Sequence, residues 1–365
     1  MHEVKTPLIR LAKRDAMPAW QVWCIRGSSF IAAILLGALI FLVLGNNPIS
    51  AYGTILSGSL GKSTAIRQTV KIAIPLLGTA LAIAPCFKMR FWNIGAEGQI
   101  LVGGCMTAGL MLALGGTVPT PVLLVIMAIA SLCAGAVWGM IPAVFKARWG
   151  TNETLFTLMM NYVAIQITSY CVALWENPYG SNVVGVINQS TKDGWFPELF
   201  GQAYGLNVLI VAVLTVGMYI YLKSSKQGYE IAVVGESQNT ARYAGIRLSK
   251  VFIRTMAISG AICGLAGFIA VAGASHTIST STAGGRGFTA IIVAWLAQFN
   301  TFVMVLISFL LVFLQKGAIQ IASQFKLNDF ASNVITGIIL FCIIGSEFFI
   351  QYKLIFRGRK EAHHS

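Results

Sequence analysis

Charge is what this chain most lacks for its length. Charged side chains make up 10% of its 365 residues, where about a quarter is usual in a soluble domain. Acids are the scarcer sign, 12 Asp and Glu against 26 Lys and Arg. Hydrophobic residues reach 56%. So little charge on so apolar a chain excludes a soluble enzyme or a soluble binding module. A polytopic, all-α membrane protein remains, because only helices or closed barrels satisfy their backbone in lipid. A β-barrel is disfavoured, since the apolar runs are continuous rather than alternating.

Histidine and paired cysteine are also lacking. His2, His276, His363 and His364 are few and scattered. No nucleophile–base pair or metal cluster accompanies them, so an intramembrane enzyme has no support. The seven cysteines contain no C-x-x-C pair, which removes the usual zinc and redox signatures. They read as small buried hydrophobes, and neither a cofactor nor a metal is expected. The net charge of +14 does not signal nucleic acid. The basic residues sit at the ends of apolar runs, as orientation signals do, and no basic patch is interleaved with exposed aromatics.

What is present is long apolar runs, ten of them: residues 28–44, 72–87, 97–114, 121–145, 154–175, 207–222, 253–272, 288–299, 302–321 and 334–350. The second, sixth and eighth fall short of the roughly 20 residues that cross a bilayer core, and read as partial or extended into polar flanks. The first follows Arg26 without a clean cleavage site and is expected to stay as a span. Ten spans put both termini on one side. With the termini cytoplasmic, the outside holds Lys62, Arg67, Lys71, Lys192, Arg286, Lys316 and Lys326, and the inside holds the other 19 of the 26. That asymmetry is the positive-inside rule. The domain reading is a cytoplasmic segment 1–27, a transmembrane domain 28–350 and a cytoplasmic tail 351–365. The longest connections are an outer loop, 176–206, and an inner loop, 223–250. The outer loop carries an Asn188-Gln189-Ser190 sequon.

Two nucleotide look-alikes are set aside. Ser57 to Thr64 ends like a P-loop, but Leu56 stands where the first glycine belongs and no strand precedes it. Gly285-Arg286-Gly287-Phe288-Thr289-Ala290 fits a G-x-G-x-x-A pattern without the β-α-β context, and reads as flexibility at the entry to the eighth span. The pairs Gly135/Gly139 and Gly260/Gly264 are small-x-x-x-small motifs that let helices pack closely.

Three stretches carry polar chemistry. Phe91 to Gln99 is a glycine-rich interruption bearing Asn93, Glu97 and Gln99. Flanked by Lys88 and Arg90, it places its first residues in a turn at the inner face. Only 95–99 then enters the membrane, which favours gating or packing near an inner mouth over a midplane site. Glu153, Thr157, Asn161 and Thr168 share one helical face within roughly 60°, and a polar stripe in a membrane helix faces other helices or a cavity. Asn93, Glu97, Gln99, Glu153, Thr157 and Asn161 are therefore the candidate substrate-pathway residues. In the inner loop, Asn239 or Thr240 is an expected N-cap and Gly245 a C′ stop, enclosing one short helix over 241–244. Such a helix on the cytoplasmic face suits docking to a partner.

On these residues the chain resembles the permease subunits of bacterial ABC importers, the group of ribose, simple-sugar and branched-chain amino acid permeases. It is most similar to the nucleoside type that works with a basic-membrane-protein lipoprotein receptor. Asn93-Ile94-Gly95-Ala96-Glu97-Gly98-Gln99 and residues 152–162 carry the likeness, supported by 228–246 and by Ile258-Ser259-Gly260-Ala261. It departs late, where Trp295 to Asn300 replaces a small-residue run. The resemblance implies a second permease subunit, identical or different, two cytoplasmic ATPases and an external lipoprotein receptor. It also implies that Asn239, Thr240, Ala241, Arg242, Tyr243, Ala244 and Gly245 form the helix coupled to an ATPase groove. The expected function is import of nucleosides, with simple sugars next, through the bacterial inner membrane and without enzymatic activity. An ion-gradient-driven transporter or channel is the alternative.

Overall fold

The computed structural model describes residues 9–325, apart from 15, 16, 44, 200 and 203, and parts of 334–356. The chain forms two compact units, residues 1–65 with 313–365, and residues 66–312.

In the first unit, β1 (Ile9–Lys13) pairs antiparallel with β2 (Tyr352–Phe356), Ile9 opposite Phe356. This ribbon qualifies the all-α expectation. Helix α1 (Ala19–Val43) is followed by α2 (Pro48–Leu60), which the sequence reading missed. Proline at its first position and Asn47 as N-cap, accepting from Ile49 N–H, start α2. Phe41 and Tyr52 hold α1 to α2 with rings edge-on at 5.8 Å. The C-terminal half of α12 (Thr301–Gln324) lies against α2. Ser59 donates to the carbonyl of Phe313 at 2.8 Å, and Gly317 leaves room for Ile55.

In the second unit follow α3 (Ser63–Lys88), α4 (Ala96–Leu114), α5 (Thr120–Trp149), α6 (Glu153–Leu174), α7 (Gly205–Ser224), α8 (Lys226–Glu236), α9 (Gln238–Tyr243), α10 (Leu248–Ala270) with a π-helical turn Val271–Ser275, and α11 (Arg286–Leu296). Eight helices among the described residues are long and apolar enough to cross a membrane: α1, α3, α4, α5, α6, α7, α10 with its π turn, and α12. The second expected span is longer than read, because α3 continues through Arg67 and Lys71 to Ser63. The eighth is α11, with 11 residues. At 1.5 Å per residue it covers about half of a ~30 Å core. Of the tenth, 334–350, the described residues are helical, and residues 335, 336, 339, 340, 343 and 347 lie outside the described ones.

The core of this unit is α4, α5 and α10, which make its most extensive helix contacts. Glycine makes this possible. A Cβ on Gly135 would fall on the carbonyl of Gly260, and one on Gly264 would fall on the carbonyl of Ser131. A Cβ on Gly267 would meet the carbonyl of Ile100 on α4. The helices thus touch backbone to backbone, as small residues allow where lipid supplies no hydrophobic drive.

The loop 176–206 folds back on the ends of these helices. Ile187 N–H donates to His276 O at 2.8 Å, and Phe196 N–H to Ala272 O at 3.1 Å. Asn188 of the sequon donates its amide to the carbonyls of Met111 and Asp193. Trp195 stacks on His276 at 3.7 Å and 9°.

Candidate functional site

The interruption at 91–99 is a short irregular connection closing into α4. Residues 92–94 run without regular structure, and Gly95 stands at the N-cap of α4. Asn93 makes up for the missing side-chain cap by accepting Gly95 N–H at 3.0 Å. It also lies within hydrogen-bond reach of Gln99 and of Ser259 on α10, at 3.4 and 3.3 Å. Asn93 and Gln99 are buried.

Glu97 is 8% exposed, so an ionised carboxylate there needs strong partners. It has them. Gly285 N–H donates to Oε1 and Gly287 N–H to Oε2, both at 2.7 Å. Gly285 is the N-cap of α11 with φ +73°, and the Cβ position of Gly287 falls on Glu97 itself. The G-x-G sequence set aside as mere flexibility is therefore a helix N-terminus that binds an anion, and the anion is a side chain of this chain.

The stripe on α6 meets the same turn. Asn161 accepts Gly98 N–H at 2.8 Å and donates to Ile94 O at 2.9 Å. Thr157 accepts Ile94 N–H at 3.2 Å. Both are buried. Glu153 sits apart in the first turn of α6, where a negative charge is favoured, and pairs with Lys146 at 2.7 Å. The structure thus brings five of the six candidate pathway residues into one buried network tying α4, α6, α10 and α11. Each bonds protein groups there. Thr168 lies further along, near Cys105 at 3.3 Å.

Sequence reasoning missed Ser259, Gly285, Gly287 and an aromatic cluster at the basic end. Trp92 and Trp295 stack at 5.8 Å and 25°, with Phe87 edge-on to both and Phe299 edge-on to Trp295. These rings, with Lys88, Arg90, Gly235 and Glu236, line a cavity of about 570 Å³. Only the bulky run 295–299 hinted at it.

The inner loop holds two helices rather than one. Ser237, not Asn239 or Thr240, caps α9: its extended backbone (φ −156°) lets the hydroxyl accept Thr240 N–H at 3.2 Å. Gly245, with φ +75°, ends it. Within α9, Ala241 is buried and Tyr243 is 93% exposed. The preceding α8 is seated on the transmembrane part. Glu230 pairs with Arg254 of α10 at 2.9 Å, and Gly235 rests on the carbonyl of Lys88.

The family model described as branched-chain amino acid transport system / permease component matches residues 65–344. The chain is 28% identical to the glucose ABC transporter permease protein TsgB13 of Haloferax volcanii, over 95% of this chain and 93% of that one. It is 30% identical to the guanosine ABC transporter permease protein NupP of Bacillus subtilis, over 87% and 92%. It is 28% identical to the nucleoside ABC transporter permease protein NupB of Lactococcus lactis, over 89% and 91%. No solved structure matches the chain. With 280 residues inside one family match, the chain belongs to this family of permease components: it is an ABC importer permease, a multi-pass protein of the cell membrane, and not an enzyme.

Proposed function

We propose that this permease imports nucleosides handed over by an external lipoprotein receptor, and that cytoplasmic ATPases drive it through α8 and α9. One observation carries the coupling. The exposed α9 follows α8, Gly235 of α8 rests on Lys88 O, and Lys88 opens the turn that leads to Glu97 and its clamp on α11. A push on α9 reaches the buried network without crossing a flexible linker. Such coupling requires only that nucleotide binding favour one of two arrangements of that network.

In this reading the chain has ten spans with both termini cytoplasmic, and it pairs with a second permease subunit. Asn93, Glu97, Gln99, Glu153, Thr157 and Asn161 hold the wall of the route near its inner mouth. Asn239 to Gly245 seat in the ATPase. The substrate assignment leans on the two relatives named for guanosine and nucleosides. The relative named for glucose supports simple sugars as the second reading.

The test is uptake of labelled nucleoside into vesicles holding the permease, its ATPase and its receptor. Uptake that needs ATP and ignores ion gradients is expected. Transport that runs without an ATPase and collapses with the gradient overturns the mechanism. A receptor that binds sugars but no nucleoside in calorimetry overturns the substrate alone.

A further inference from the structure

A second cavity, of about 270 Å³, opens at the basic end beside the one lined by tryptophan. Lys88, Tyr219, Leu222, Lys223 and residues 298–301 form its walls. Its polar residues are two lysines, Tyr219, Gln298, Asn300 and Thr301, with no acid among them. Lys88 and Lys223 both reach it, and no described carboxylate pairs with either. Lys223 is held in place by its bond to the Tyr219 hydroxyl at 2.7 Å and by the Tyr219 ring, 5.1 Å from its nitrogen. The floor is the N-terminus of α12, a 24-residue helix whose dipole presents positive charge there, while the Asn300 side-chain oxygen accepts the Phe302 and Val303 amides. Its first residue, Thr301, is 2% exposed, yet its hydroxyl has no hydrogen-bond partner. A buried orphan hydroxyl is costly unless a ligand satisfies it. Two cations, the positive end of a helix dipole and an unused donor, with no acid in the lining, describe a receptor for a tetrahedral oxyanion.

We infer that this cavity binds phosphate, and that a phospholipid headgroup supplies it. The membrane argues for the lipid. Tyr219 in the wall packs on Phe302 at 5.0 Å, and on the same two helices the apolar Ile220 and Leu306 are 54% and 72% exposed, so acyl chains have a surface to follow. Basic pockets between membrane helices on the cytoplasmic side suit anionic headgroups.

The experiment uses the full-length permease in detergent and reads amine acetylation of Lys88 and Lys223 by peptide mass spectrometry, with Lys226 as the reference. The probes are short-chain phosphatidylglycerol, short-chain phosphatidylcholine and inorganic phosphate. Phosphatidylglycerol is expected to slow acetylation of both lysines about tenfold relative to Lys226, with phosphatidylcholine weaker. Thr301→Val, which keeps the shape, should abolish most of that protection, and Thr301→Ser should restore it. Equal protection by inorganic phosphate supports the site and moves its source to the free ion. No protection by either phosphate probe, or protection that Lys226 shares or that survives Thr301→Val, overturns the inference.

Discussion

Glu97 is the residue on which the most depends. A single carboxylate, nearly buried, is held at both oxygens by the amides that open α11. Glu97→Gln keeps the shape and loses the charge that those amides favour, which is worth about 2 kcal/mol. The melting temperature of the purified permease should fall by about 2–4 °C, and an unchanged melt would remove the clamp from the account. His276 offers a test through pH. Burial, with Lys71 nearby, lowers its pKa to about 4, and Nδ1 is buried without a partner. The folded state therefore holds the ring neutral where an unfolded one, at about 6.5, already takes a proton. Its contribution is complete above pH 6.5 and is lost as pH falls toward 4. The loop 176–206, which stacks Trp195 on that ring, should become protease-sensitive over this interval. His276→Gln should flatten the dependence.

Helices were legible in the sequence where apolar length defines them, and illegible where partners do. α5, α6, α10 and α12 follow from their hydropathy. α2 escaped because Ser50, Gly53, Ser57, Gly58 and Ser59 dilute it, and what it buries is met by residues more than 250 positions later. α3 was cut short at Lys71 because a charge ends an apolar run on paper, while a helix carries it to the membrane edge. The polar side chains of the site were visible apart from Ser259; their bonds were not, since Glu97 finds its donors 188 and 190 residues away. α9 was found in outline and miscapped, because Ser237 looks like any loop serine until its backbone extends. At the seam of α5 and α10, Gly260→Val should cost about 1–3 kcal/mol or more by overpacking. Purified yield and melting temperature would show it, with Gly217→Val, whose Cβ meets nothing, as the neutral control. Just past α9, Gly245→Val forces a branched side chain into φ +75°. ATP hydrolysis by the complex should then persist while substrate uptake falls.

At the scale of the whole molecule, sidedness is the measurable consequence of where the charge lies. Tyr179 and Tyr243 are 96% and 93% exposed, so a cysteine at either is reachable from its own side. In a background with the seven native cysteines replaced, Tyr179→Cys should react with a membrane-impermeant maleimide on intact cells, and Tyr243→Cys only after permeabilisation. The reverse pattern, or labelling of both from outside, would invert or break the ten-span topology. The glycine seam bears on how such a machine can move at all. Where side chains interdigitate, neighbouring helices glide by exchanging rotamers. At their closest approaches α4, α5 and α10 have carbonyls lodged against glycine α-carbons, and advancing by one residue would set a carbonyl against a bulkier neighbour. These three helices therefore travel as one keel. In the proposed import cycle the alternation between openings falls to the parts outside it: the π turn at Val271–Ser275, where α10 leaves the keel, and α11, which Glu97 clamps at its N-terminus.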